Sequence, residues 1–327
     1  MELASNPTPL AAARALQPWH GLLALAAAMA LPLLSANPFH IHLAVLVCLN
    51  ILVVNGLSLL SRTGQLSFCH AAFMGVGAYC SVLASGRLGL PFLAGALLGV
   101  AAAALLALLL GALILRLKGV YFVLVTFCFG ELFRLLLLEG ASLTGGANGI
   151  ANIAPVELLG HVVETRRASY LPAAAVALAS VAFLMAFLRT PAGQALDAVG
   201  DNPELAEASG IGIARTQRLA FVLGSAMAAL GGVLLAHYLG FVSPESFSQH
   251  VSVAAIIMLV MGGRGSIAGP ILGAAIMTPL PELFRSAITT QNILYGITLM
   301  LVLRFLPQGL ASLNPRALAA GLKGGPA

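Results

Sequence analysis

Asn202, Pro203, Glu204 and Gly210 stand in the order that a short capped helix requires. Asparagine at an N-cap accepts a backbone hydrogen bond, proline fits the first helical position, an acid complements the positive end of the dipole, and glycine supplies a stop. The surrounding stretch "DAVGDNPELAEASGIGIARTQ", residues 197–217, also gathers Asp197, Asp201, Glu204 and Glu207, four of only 11 acidic residues in the chain. A helix of about two turns over "PELAEAS" is marginal alone in water. It needs a partner surface, so the chemistry it offers is docking. The plain alternative is a solvated loop helix.

Other polar residues stand out against apolar surroundings. His70 lies in a glycine-studded apolar run, so it should face protein or a cavity, as an interior histidine or as a relay or ligand. Gly64, Gly75 and Gly77 nearby suit close helix packing or the lining of a path. Glu131 and Arg134 are three apart on one helical face and can pair, as can Glu282 and Arg285. Thr144 and Asn148 add polar side chains to "TGGANG", whose glycines also suit an ordinary turn. Arg264 sits in "GGRGS", which interrupts an apolar run. Such a break at membrane depth lines a cavity, or the arginine marks an interface. Cys48, Cys69, Cys80 and Cys128 fall inside apolar segments without a C-x-x-C pair and read as small buried hydrophobes. No H-E-x-x-H, G-x-S-x-G or paired-carboxylate constellation lies near an interface, which argues against an enzyme. There is no G-x-x-x-x-G-K-[ST] phosphate loop, so any ATP that drives this protein is bound by another chain, and no cofactor is expected on this one.

The helices that carry these residues follow from composition. The 327 residues are 60% hydrophobic and 8% charged, with a mean hydropathy of +1.00. A soluble domain is about 25% charged. Apolar runs of about 20 residues recur from end to end, the pattern of membrane-spanning helices rather than of the short alternating strands of a barrel. The expected fold is all-α: a polytopic integral membrane protein with about ten transmembrane or re-entrant helices. The apolar segments are 19–35, 41–60, 65–85, 90–114, 119–138, 170–188, 219–242, 251–263, 267–283 and 293–306. The first reads as a retained span rather than a cleaved leader. The expected organisation is a segment 1–18, one transmembrane domain 19–306 and a tail 307–327.

The formal charge of +5 comes from basic residues spread singly between apolar runs, which set topology rather than bind nucleic acid. With a cytoplasmic N-terminus, eleven Lys and Arg residues fall inside and five outside. Both termini are then cytoplasmic. Connection 139–169 lies outside, and connection 189–218, which holds the capped segment, lies inside.

Residue 204 begins Glu-Leu-Ala, three residues, then Gly210. This resembles the EAA-x3-Gly motif on the coupling helix of ATP-binding-cassette import permeases. Leu205 stands where the motif has alanine, and a later Ile-x-Leu-Pro is not evident. The stretches "TGQLSFCHAAFMGVGAY" (63–79), "LRLKGVYFVLVTFCFGELFR" (115–134), "LTGGANGI" (143–150), "AFVLGSAMAALGGVLLAHYLGFVSPESF" (220–247) and "MGGRGSIAGPILGAAI" (261–276) resemble the branched-chain amino-acid permeases, LivM-type subunit, in order and over most of the chain. Arg264 departs from the apolar residue usual there.

The resemblance implies a permease subunit with a sibling permease, two cytoplasmic ATP-binding subunits and a periplasmic substrate-binding protein, in a bacterial inner membrane. It places ATPase coupling on Asp201, Asn202, Glu204, Glu207 and Gly210. His70, Glu131, Thr144, Asn148 and Arg264 are then candidates for the translocation path or its gating. The cargo it implies is leucine, isoleucine and valine, with urea, short amides or other amino acids as alternatives. A self-sufficient ion-coupled carrier using Glu131 or His70 is the competing reading. Against it, the charge cluster is assigned to the cytoplasm and not to the membrane.

Overall fold

The computed structural model describes residues 25–30, 32, 37–158, 161–162, 165–283, 296, 300 and 310. The segment 1–18 and the Glu282–Arg285 side-chain pair lie outside the described residues; of the span 19–35 only residues 25–30, which are helical, and Pro32 are described, of the span 293–306 only residues 296 and 300, and of the tail 307–327 only residue 310.

Long helices dominate. They are α1 (Pro38–Arg62), α2 (His70–Leu88), α3 (Phe92–Ile114), α4 (Val120–Glu139), the single turn α5 (Ala141–Thr144), α6 (Arg166–Phe187), α7 (Pro191–Asp201), α8 (Pro203–Ala208), α9 (Ile213–Leu239), α10 (Gln249–Gly262), α11 (Ala268–Met277) and the short α12 (Leu280–Leu283). Each apolar segment that falls in the described region is mostly helical, although 65–69 precede α2, 241–242 are extended and 278–279 form a turn. Among the described residues, seven stretches are long and apolar enough to cross a membrane. The seventh, Pro244–Gly262, is not continuous: a 3-10 turn (Pro244–Phe247) is separated from α10 by Ser248 in extended conformation, φ −67° and ψ 166°. With α11 only 10 residues long, the "GGRGS" break becomes a helical hairpin rather than the middle of a span.

The connection 139–169 is more ordered than its polar composition suggests. It holds α5, a 3-10 turn (Gly146–Asn148) and strands β1 (Ile150–Ala151), β2 (Glu157–Leu158) and β3 (His161–Val162). β2 pairs antiparallel with β3, and β1 pairs antiparallel with β4 (Phe241–Val242), which follows α9. His237 fastens the same region, its Nδ1 2.8 Å from the Ala154 carbonyl and its Nε2 3.0 Å from Ser81 Oγ.

Helix α9 is the centre of the bundle, packed on α1, α2 and α3; α1 also carries α6 and the α10–α11 hairpin. Apolar side chains cannot drive this association, because lipid tails are as apolar as leucine. Close backbone approach does. On α3 the buried residues include Gly95, Gly99, Ala103, Ala107 and Gly111, one every fourth position, while Leu97, Leu109 and Leu113 point outward. A Cβ on Gly77 would overlap the backbone of Ala229, one on Gly99 the carbonyl of Gly77, and one on Gly232 the carbonyl of Met74. Gly75 meets Phe133 and Phe247, so it too serves packing, whereas Gly64 faces open space at φ +80° and forms a turn. Of the cysteines, Cys48 and Cys69 are buried, Cys80 is half-buried and Cys128 is exposed, so the last departs from the buried reading.

Candidate functional site

The capped segment forms the helix its sequence specifies. In α8, Asn202 Oδ1 accepts from Leu205 N–H at 3.0 Å, and Pro203 and Glu204 fill the first turn. At the other end Gly210 N–H donates to Glu207 O at 2.9 Å and Ile211 N–H to Ala206 O at 2.9 Å, with Gly210 at φ +83°. This pair of bonds is a Schellman cap, which requires the left-handed conformation that glycine adopts without a Cβ penalty. Only Ala206 is buried; Asp201, Asn202, Glu204, Glu207 and Gly210 are all exposed, and so is Leu205, at 63%. A capped helix thus presents an apolar residue flanked by acids to the surroundings.

What holds α8 is α7, which the reading of 189–218 as a connection overlooks. Thr190 Oγ1 accepts from Gly193 N–H at 3.2 Å, Pro191 follows it, and Leu196 and Val199 are buried. The signal was present: a threonine–proline start, then apolar residues three apart. Asn202 serves α7 and α8 alike, as the end of one and the cap of the other.

Helix α7 is anchored to the bundle by Arg62, the last residue of α1. Arg62 Nη1 donates to Asp197 Oδ1 at 2.7 Å and Nη2 to the Gly265 carbonyl at 3.1 Å. The Arg62 side chain is 8% exposed and that of Asp197 49%. Gly200 lies so close to the Arg62 carbonyl that a Cβ there would overlap it. One guanidinium therefore joins α1, α7 and the α10–α11 turn, which also carries the exposed Arg264. The sequence reading missed Arg62 and Asp197 as a pair, since they are 135 residues apart. Arg116, Lys118, Arg189, Arg215, Arg218 and Arg264 flank helix ends on this same side of the bundle.

The remaining candidates do not join this site. His70 is the first residue of α2, 1% exposed, and neither ring nitrogen has a hydrogen-bond partner among the described residues. Its Nε2 lies by Gly224, where α9 crosses α1 at Gly56. Glu131 and Arg134 do pair: Glu131 Oε1 accepts from Arg134 Nη2 at 2.5 Å and from Nε at 3.0 Å. Thr144 is buried, and its hydroxyl faces the Leu137 carbonyl at 2.6 Å and the Gly140 carbonyl at 2.9 Å while accepting from Gly146 N–H at 3.2 Å. That hydroxyl shapes the turn. Asn148 is exposed four residues on. Beside this turn lies an open cavity of about 470 Å³, lined by Arg87, Ser142, Gly145 and Ile150–Ala154 among others.

A family described as the permease component of the branched-chain amino acid transport system matches residues 39–303. The high-affinity branched-chain amino acid permease protein LivM of Salmonella typhimurium is 32% identical over 283 residues, 79% of this chain and 65% of the relative. LivM of Escherichia coli K12 is 31% identical over 294 residues, 83% of this chain and 69% of the relative. The chain thus spans about two thirds of the length of these relatives. LivH of E. coli K12 is 32% identical over 120 residues, 36% of this chain and 39% of the relative. No solved structure matches the chain.

Proposed function

The chain belongs to the branched-chain amino acid transport permease family, and we propose that it is the membrane-spanning permease subunit of an ATP-driven importer of branched-chain or related amino acids. It works in a bacterial inner membrane with both termini in the cytoplasm. Its partners are a sibling permease in a heterodimer, two cytoplasmic ATP-binding subunits and a periplasmic substrate-binding protein. ATP is bound by the partner subunits, and this chain holds no cofactor.

The observation that carries this reading is the α7–α8 platform. Exposed Glu204, Leu205 and Glu207 form a docking surface on a helix that is capped at both ends, and Arg62 ties the neighbouring α7 to two span ends. A displacement of α8 by a closing ATPase is passed through α7 to α1 and to the α10–α11 hairpin. Packed helices of this kind have discrete arrangements, so the push selects between inward and outward access. The basic residues gathered on the Arg62 side support a cytoplasmic location for the platform.

The test uses proteoliposomes containing the full importer. Glu207→Lys and Gly210→Trp are expected to abolish ATP-dependent uptake while membrane insertion continues. Uptake at the wild-type rate by both variants sinks the coupling role. Uptake by this chain alone under an imposed ion gradient would favour the self-sufficient carrier.

A further inference from the structure

The Glu131–Arg134 pair occupies a position where contact with lipid is costly. Glu131 stands beside the midpoint of α4, a helix of 20 residues. Its side chain is nonetheless 36% exposed and that of Arg134 23%. Arg134 Nη1 lies 3.6 Å from Glu245 Oε2, on a side chain that is 74% exposed. Charges open to hydrocarbon at mid-span are costly, and such residues face a water-filled cavity or protein.

Helix α10 begins at the same place. Gln249 Nε2 donates to the Phe127 carbonyl at 2.6 Å, and a Cβ on Gly130 would overlap that amide nitrogen. Phe127 and Gly130 bracket the midpoint of α4, so α10 starts at mid-depth and not at the membrane surface. The first N–H groups of a helix lack intrahelical partners. Here Ser248 at the N-cap is 8% exposed and makes no capping bond, and Gln249 Oε1 is buried without a partner among the described residues. A half-helix that opens at membrane depth is tolerated where its end lines a cavity, and its positive end favours an anionic group.

We propose that Glu131, Arg134 and Glu245, with the start of α10, form a mid-membrane site for the head group of a zwitterionic amino acid on its way through the permease. Two carboxylates face one guanidinium, so one acid lacks a full partner. The ammonium of the cargo sits between Glu131 and Glu245. Its carboxylate takes Arg134 and the N–H groups of Gln249 and His250, since the Val251 N–H already donates to the Ser248 carbonyl at 3.0 Å. The cargo is neutral overall, so the ion pair opens and recloses without any ion being carried with it. The site rests on the importer reading above and names where that importer holds its cargo.

The experiment measures leucine uptake and ATP hydrolysis by the reconstituted importer with its leucine-loaded binding protein. Glu131→Gln and Arg134→Gln are each expected to lower uptake about tenfold or more, the loss of one charged hydrogen bond, with stimulated ATP hydrolysis retained. The double variant Glu131→Arg/Arg134→Glu keeps an ion pair but reverses it, and is expected not to restore uptake. A Glu131→Cys variant made with Cys128→Ser is expected to react with a cationic, water-soluble thiosulfonate. Wild-type uptake in the single variants, or full rescue by the reversed pair, overturns the site. No labelling at position 131 overturns it as well, because a second permease chain then seals this face. A wild-type complex that takes up no amino acid refutes the importer reading instead.

Discussion

Arg62 and Asp197 meet at 2.7 Å across the junction between the end of α1 and α7. The arginine is almost covered and the aspartate is half in solvent, so the two partners respond differently to loss of the other. Without Asp197, the guanidinium keeps, among the described residues, only the Gly265 carbonyl at 3.1 Å.

Asp197→Ala is therefore expected to destabilise the α7 platform by about 1 kcal/mol, a figure held down by the exposure of the carboxylate. Arg62→Lys should do at least as much harm to coupling, because an ammonium cannot reproduce a planar fork that reaches two acceptors. Thermal unfolding of the purified complex and ATP-driven uptake check both. Unchanged uptake in Arg62→Lys refutes the transmission role.

The cap at Asn202 makes a separate prediction. Asn202→Ala removes the acceptor for Leu205 N–H and should cost about 1 kcal/mol, all of it local to α8. Amide hydrogen exchange over residues 203–210 should quicken severalfold while the long helices keep their protection. Unaltered exchange there would mean that the cap does not govern the helix.

Two glycines of α2 should behave in opposite ways. Gly77→Val drives a side chain into the Ala229 backbone, which cannot move aside, and is expected to cost about 3 kcal/mol or more and to prevent stable assembly. Gly86 has open space around it, so Gly86→Ala is expected to be neutral or to stabilise by about 0.5 kcal/mol. Melting temperatures of the two purified variants, measured side by side, decide the matter.

Thr144 and Asn148 divide in the same manner. Thr144→Val keeps the shape but removes the hydroxyl that bridges Leu137, Gly140 and Gly146, and should lower stability by about 1–2 kcal/mol. Asn148→Ala is exposed and should leave the melting temperature unchanged. A larger effect from Asn148 than from Thr144 contradicts the assignment of the threonine to the turn.

Whatever is encoded in neighbouring residues could be read without the fold. Runs of apolar residues located the spans, Asn202, Pro203 and Gly210 framed α8, and a spacing of three paired Glu131 with Arg134. These signals depend on helical geometry and on local capping, which need no knowledge of the rest of the chain. The packing of the helices is what lets Arg62 join α7 to the α10–α11 turn, brings Glu245 to Arg134, and starts α10 beside the middle of α4. Those contacts span long stretches of sequence and leave no periodic trace. Hydropathy also cannot distinguish a helix face packed on protein from one facing lipid, because both environments are apolar. The depth of a charge and the cover over it became visible only once the helices were packed.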